Sequence, residues 1–156
     1  MTFEEIYKTY WDKIFRLCLG YSNNHDAAKD LAQETFIKVW QALPDFRNEC
    51  SVSTWIFRIA SNHCLRHIER QKTRKTSALN FSIPEELPTE NSEEVNRLYA
   101  AIAKLKEADR ILISLALEEI KQAEIAEILG LTEANVRVRI HRIKKKLLNL
   151  MNNGRV

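Results

Sequence analysis

The chain has 156 residues and a formal net charge of +3, and 45% of it is hydrophobic, enough for the core of one ordinary domain or two small ones and too much for a disordered chain. Only 3 Gly and 3 Pro are present, too few for the regular turns of a sandwich or barrel, which leaves an all-α fold. Cys18, Cys50 and Cys64 form no CxxC pair, the N-terminus Met1-Thr2-Phe3-Glu4-Glu5 is acidic where a signal peptide is basic, and the longest apolar run, Ile111 to Leu117, is far shorter than a membrane span, so reduced thiols in a cytoplasmic protein are expected.

Taken in order, the first helix is expected to start at Thr2, whose hydroxyl can cap it while Glu5 completes a capping box. Phe3, Ile6, Tyr7, Tyr10, Ile14, Leu17, Cys18 and Tyr21 follow at three- and four-residue steps and make one apolar stripe. Asn24 can cap a second helix running to about Ala42, because Pro44 stops it. On that helix Leu31, Phe36, Val39 and Trp40 form the inward stripe, and Asp30, Gln33, Glu34 and Ile37, at i, i+3, i+4 and i+7, lie off it. A polar loop, Asp45 to Ser51, precedes a long third helix for which Ser53 is the expected N-cap; it opens apolar at Trp55, Ile56, Ile59 and Ala60 and turns basic toward Lys75.

From Thr76 to Asn91 no helical period survives, and the segment reads as an acidic, flexible linker. Asn91 with Glu94 is expected to open a helix that aligns Val95, Leu98, Tyr99, Ile102 and Leu105; Ile111 to Leu117 belongs to another, apolar nearly all round and hence buried. Then comes the pattern of a helix-turn-helix. Gln122 to Leu129 is a short helix, Gly130-Leu131-Thr132 a turn, and Glu133 to about Leu150 a longer helix. Ala126 is small where the second helix must cross the first, Gly130 accepts positive φ, and Val136 is the branched apolar residue that faces back to the core. Thr132 can cap the second helix, with Asn135 at its third position. Ile125, Leu129, Leu131, Ile140 and Ile143 are core positions, which leaves the basic side chains of the second helix for phosphates and base edges.

Charge is segregated along the chain. Residues 51–75 carry one acid, Glu69, against the bases Arg58, Arg66, Arg70, Lys72, Arg74 and Lys75. Residues 134–156 carry no acid and the bases Arg137, Arg139, Arg142, Lys144, Lys145, Lys146 and Arg155. Two basic blocks, each ending a helical unit of an otherwise acidic chain, point to two contacts with a polyanion, nucleic acid first.

With those elements placed, the sequence resembles a known family. Asp26-Ala27-Ala28-Lys29-Asp30-Leu31-Ala32-Gln33-Glu34-Thr35-Phe36-Ile37-Lys38-Val39-Trp40, Phe46-Arg47 and Thr54-Trp55-Ile56-Phe57-Arg58-Ile59-Ala60-Ser61-Asn62 resemble region two of bacterial sigma factors. Ile125-Ala126-Glu127-Ile128-Leu129-Gly130-Leu131 and Val136-Arg137-Val138-Arg139-Ile140-His141-Arg142 resemble region four. With only those two regions the chain is similar to the extracytoplasmic-function group. The resemblance implies a region-two helical bundle at 1–75, a linker at 76–91 and a region-four helix-turn-helix at 92–156. It implies binding to core RNA polymerase, promoter recognition, local melting and transcription initiation, with no catalysis of its own.

It also implies roles for single residues. Asp30, Gln33, Glu34 and Ile37 would contact the clamp helices of the largest polymerase subunit, region four would touch the flap of the second subunit, and an anti-sigma factor would cover these faces. At the minus-ten element Asn62 and the loop Arg47 to Ser51, including Asn48, would hold a flipped base, with Arg58, Arg66 and Arg70 on the backbone. At the minus-thirty-five element Asn135, Arg137, Arg139, Arg142, Lys144 and Lys145 would meet the duplex. Val138 stands where the family pattern has a small polar residue, and Ile120-Lys121 where it has a small hydroxyl residue.

Trp55 and Phe57 can each be either a stacking face for unpaired bases or core residues. A helix-turn-helix regulator that never joins polymerase is the competing reading; it explains the second basic block and leaves the first, with Gln33 and Glu34, without a role. His63 and His67, four apart on a helix, could begin a zinc site, but Cys64 stands where the glutamate of HExxH would, and a third and fourth ligand are lacking, so neither metal nor cofactor is expected.

Overall fold

A computed structural model describes residues 1–73 and 93–153, with side chains for 1–67 and 93–153. The expected linker, the Asn91 cap and the side chain of Arg70 lie outside the described residues. Among the described residues the structure is seven α-helices with one 3-10 turn: α1 (Phe3–Ser22), α2 (His25–Ala42), the turn Leu43–Asp45, α3 (Val52–Thr73), α4 (Glu93–Ile102), α5 (Glu107–Leu117), α6 (Gln122–Leu129) and α7 (Glu133–Asn153). None of these helices is long and apolar enough to cross a membrane.

Local chemistry sets most of the boundaries. Thr2 and Glu5 close a reciprocal capping box at 3.3 Å on each side, and α1 stops at Asn23, whose left-handed φ of 57° returns its N–H to the Leu19 carbonyl. The Asn24 side chain accepts from the Ala27 N–H at 2.9 Å and starts α2. Pro44 sits in the first turn of the 3-10 segment that follows α2. Helix α3 begins two residues earlier than expected: the Ser51 hydroxyl, rather than that of Ser53, serves as the cap and accepts from the Thr54 N–H at 3.1 Å. At the turn of the helix-turn-helix, Gly130 takes φ of 69°, the Leu131 N–H reaches back to the Ala126 carbonyl at 2.9 Å, and the Thr132 hydroxyl accepts from the Asn135 N–H at 3.1 Å.

Helices α1 and α2 form a hairpin with α3 packed across it, and α6 and α7 form a second hairpin backed by α4 and α5. The two units do not stand apart. Helix α5 packs on α1 and helix α6 on α3, so the buried side chains form one cluster from Ile14, Leu17 and Ile56 through Ile111, Leu112 and Leu115 to Ile125 and Ile140. This accounts for the apolar circumference of α5, which has α1 on one side and α7 on another. Three side chains expected to be buried face outward instead: Trp40, in the last turn of α2, is 62% exposed, Leu117, at the end of α5, is 46% exposed, and Tyr7 is exposed as well. Tyr7 still stacks on Trp11 and meets Phe36 edge-on, extending an aromatic row along α1.

Candidate nucleic-acid interface

Helix α2 buries Ala28, Leu31, Ala32, Thr35, Phe36 and Val39, and that leaves Asp30, Gln33, Glu34 and Ile37 on its exposed face, as periodicity requires. Trp40 is three residues beyond Ile37 and seven beyond Gln33, so it joins this face and makes it an apolar patch edged by amides and carboxylates. The i, i+7 relation to Gln33 was visible in the sequence; what hid it was that Trp40 also fits the edge of the inward stripe. Glu34 is held from below. Its Oε2 lies 2.7 Å from Nε2 of His63, a buried side chain of α3. The other histidine of the pair, His67, places Nδ1 2.9 Å from the Tyr21 hydroxyl, and burial raises that hydroxyl above the ordinary tyrosine range.

On α3 the positions Trp55, Arg58, Asn62 and Arg66 follow at steps of three, four and four and share one face. Asn62 and Arg66 are exposed, Trp55 and Arg58 half-buried. Phe57 is buried in the core. Trp55 is the aromatic available at the surface, and it stacks on Phe46 with ring centroids 4.5 Å apart and planes at 29°. The loop before α3 folds back over this stack, helped by Asn48 at φ of 57°. Asp45, Phe46, Arg47, Glu49, Cys50, Trp55 and Arg58 thereby enclose a cleft of about 340 Å³ with Glu127 of α6 as its remaining wall. Ser51 is exposed, but its hydroxyl serves the cap and also donates to the Thr54 hydroxyl at 2.9 Å; Arg47, Asn48 and Glu49 of the expected loop are exposed as well.

Helix α7 buries Val136, Ile140, Ile143 and Leu147 and exposes Asn135, Arg137, Arg142, Lys144 and Lys145. Arg139 has a partner within its own unit. It sits on the flank of the buried row, half-buried, with Nη2 3.3 Å from Asp109 Oδ1 at the start of α5. Val138, by contrast, is 47% exposed between the basic positions. Among the described residues no group of three or more His, Cys, Asp or Glu side chains could hold a metal ion. Cys18 and Cys64 are buried side by side; the hydrogen bond between them and their burial push the Cys18 thiol well above its ordinary range, which leaves it a packing residue rather than a nucleophile.

Sequence reasoning alone missed the side chains that join the two units: Arg16 with Glu118, Thr54 with Glu124 and Arg58 with Glu127. Their separations of 102, 70 and 69 residues leave no local signal.

Comparison with known proteins places these surfaces in a family. Residues 6–74 match the model of sigma-70 region 2 and residues 96–147 that of sigma-70 region 4. The chain is 30% identical over 161 residues to the ECF RNA polymerase sigma factor SigW of Bacillus subtilis, covering 93% of this chain and 86% of the relative. It is 32% identical over 158 residues to an ECF RNA polymerase sigma-E factor of Salmonella typhimurium, covering 90% and 81%. The fold is similar to that of the sigma factor RpoE solved in complex with the anti-sigma factor NepR from Bartonella quintana, with a TM-score of 0.84 at 21% identity over 96% of both chains. It is also similar to CnrH solved with the cytosolic domain of CnrY, with a TM-score of 0.72 at 24% identity over 97% of this chain and 88% of that one. Two sigma-70 family models in order along the chain, on the helices that carry the exposed α2 face, the α3 stripe and the helix-turn-helix, together with relatives 30% and 32% identical over 93% and 90% of it, show that this chain belongs to the extracytoplasmic-function group of RNA polymerase sigma factors.

Proposed function

We propose that residues 1–75 form the unit that holds core polymerase and the minus-ten element, that residues 92–156 form the unit that reads the minus-thirty-five element, and that the acidic segment 76–91 links them. The protein acts without catalysis, in the cytoplasm, where the polymerase and the promoter are. The observation that carries this reading is the Glu34–His63 contact of 2.7 Å. It ties the exposed face of α2 to the residue next to Asn62 on α3, so a protein partner on one face and an unpaired base on the other would share one rigid support. Asp30, Gln33, Glu34 and Ile37, with Trp40 added, would meet the clamp helices, and the helix-turn-helix unit the flap. Arg58, Asn62 and Arg66, with Arg70 four residues farther, would follow the single strand while Arg47 and Asn48 border the cleft. The similarity to the sigma factor RpoE solved with the anti-sigma factor NepR supports an anti-sigma factor as a further partner. Transcription in vitro with core polymerase and a library of promoter sequences tests the whole; no promoter-dependent transcript above core alone would reject it.

Asn62 is exposed and carries both a donor and an acceptor, as reading a base edge requires. Replacing it with Ala should weaken binding of the single non-template strand at one base position more than at its neighbours. An equal loss at every base would make Asn62 a backbone contact. The measurement is competition binding of the polymerase holoenzyme to strands substituted one base at a time.

On α7 both Arg137 and Arg139 are expected at base edges; the contact of Arg139 with Asp109 favours Arg137, with Val138 and Asn135, for the readout. An exposed apolar side chain among basic ones suits the C5-methyl of thymine. Arg137→Ala and Val138→Ser should therefore each flatten preference at one base pair, by roughly 1–3 kcal/mol for a bidentate arginine and less for the methyl contact. Lys145→Ala should weaken all sequences alike and reduce the salt slope by about one counterion. Binding to single-base promoter variants at several salt concentrations separates these; a uniform loss from Arg137→Ala would make Arg137 a phosphate clamp.

A further inference from the structure

Helix α3 buries Ile56, Phe57, Ala60 and Cys64. Leu65 points the other way. At 37% exposure it is, among the described residues of α3, the one large apolar side chain left exposed, and its exposed neighbours are Asn62 one turn before it and Arg66 directly after it. It lies two turns beyond Arg58, about 10 Å along the axis, and so past the contacts that Arg58 makes with Glu127.

The backbone that carries Leu65 is fixed on both sides. His63 meets Glu34 of α2 at 2.7 Å, Cys64 is buried beside Cys18 of α1, and His67 meets the Tyr21 hydroxyl at 2.9 Å. A side chain mounted on so rigid a stretch keeps its place when something is pressed against it. That is the requirement on a group that must hold two stacked surfaces apart.

The chemistry of α3 changes at this residue. Before it stand Trp55, with its cleft, and Asn62, an aromatic face and an amide suited to unpaired bases. After it the sequence runs through Arg66, Arg70, Lys72, Arg74 and Lys75, a density of positive charge that suits the paired backbones of a duplex. Leu65 has neither donor nor acceptor, so it can hold no phosphate and form no hydrogen bond to a base. It can cover a base face. Drawing one base out of a stack uncovers the face of the next pair, and aliphatic side chains inserted at base steps take over that contact in unstacked DNA.

We propose that Leu65 is the strand-separating wedge of this protein: it packs on the exposed face of the last intact base pair beside the unwound minus-ten segment, and so holds the fork between duplex and single strand. Asn62 keeps the extracted base and the basic residues after Leu65 keep the duplex. The wedge acts on opening, whereas Asn62 acts on the strand once it is open. The inference rests on the proposal that the α3 stripe meets the minus-ten element, and the test separates the two.

The experiment uses the holoenzyme formed by the full chain with core polymerase, on a promoter taken from the library that it transcribes. Two templates are compared, one fully paired and one with mismatches across the minus-ten segment. Opening of the paired template is followed by the fluorescence of a 2-aminopurine placed there, and both templates by the rate of the first short transcripts. Leu65→Ala should open the paired template about tenfold more slowly, equivalent to about 1.4 kcal/mol on the barrier, and should transcribe the mismatched one at the original rate. Leu65→Met, which keeps the apolar bulk, should recover most of the rate, and Leu65→Asn, of similar size but polar, should stay slow. Asn62→Ala should be impaired on both templates. An unchanged opening rate for Leu65→Ala, with Asn62→Ala impaired, overturns the wedge alone. An equal loss on both templates makes Leu65 a contact of the open strand, and a loss found only with thymine at the fork makes it a methyl contact; either overturns the wedge. If neither Leu65→Ala nor Asn62→Ala changes transcription of either template, the minus-ten role of α3 falls with it.

Discussion

Replacing Gln33 and Glu34 together by Ala should lower affinity for core polymerase by about 10- to 100-fold, because each substitution leaves a polar group of the partner buried and unpaired. Both side chains are exposed, so helicity and duplex binding by the free protein should not change. Glu34 should account for most of the loss, since His63 already holds its carboxylate at 2.7 Å and binding therefore orders less of it. Trp40→Ala supplies the comparison. At 62% exposure the indole contributes little to folding, and as an interface anchor it should be worth roughly 2 kcal/mol or more. The measurement is competition for core polymerase against a labelled sigma factor. Full competition by the double variant would take the α2 face out of the interface, and loss in the Trp40 variant alone would shift the contact to its C-terminal end.

The largest expected effect on stability is at Ile125. It is fully buried on α6, which packs against α3 on one side and α7 on the other. Ile125→Ala removes three carbons from a site that both hairpins enclose, at a cost of about 2–5 kcal/mol, so the thermal midpoint should fall by roughly 4–20 °C for a chain of this size. Because the buried side chains form one cluster across the two units, the melt followed by circular dichroism should stay a single transition displaced to lower temperature. Two separated transitions would show that the units unfold independently. Gly130→Ala makes a useful contrast: nothing lies within 4 Å of the added Cβ, so its cost is the left-handed φ of 69° alone, about 1–2 kcal/mol.

What the amino-acid sequence determined by itself was everything set by neighbours within a turn or two. The capping box at Thr2, the Asn24 cap and the Thr132 cap each depend on a side chain three residues from the amide it serves, and the stop at Pro44 and the positive φ of Gly130 depend on the backbone of those residues themselves. The core faces of α1, α2, α6 and α7 followed from period alone, and so did the exposure of Asp30, Gln33, Glu34 and Ile37. Between Ser51 and Ser53 local rules were indifferent, since either hydroxyl has a suitable amide three residues on; the helix took Ser51, whose hydroxyl also bonds Thr54. Trp40 lay at the edge of the stripe, where periodicity names a direction but not whether any neighbour reaches the last turn of α2.

Only the tertiary structure decided what α5 is buried against, which arginine of α7 is spent within its own unit, and that α6 lies over the face of α3. Arg139 pairs with Asp109 thirty residues away, and Arg16, Thr54 and Arg58 find carboxylates 69 to 102 residues away. Such pairs are chosen by how whole helices stack, through apolar contacts at Leu17, Ile56, Ile111 and Leu115 that carry no label for their partners. A basic side chain in the sequence is only available charge; whether it meets a phosphate or a carboxylate depends on which helix the core brings against it.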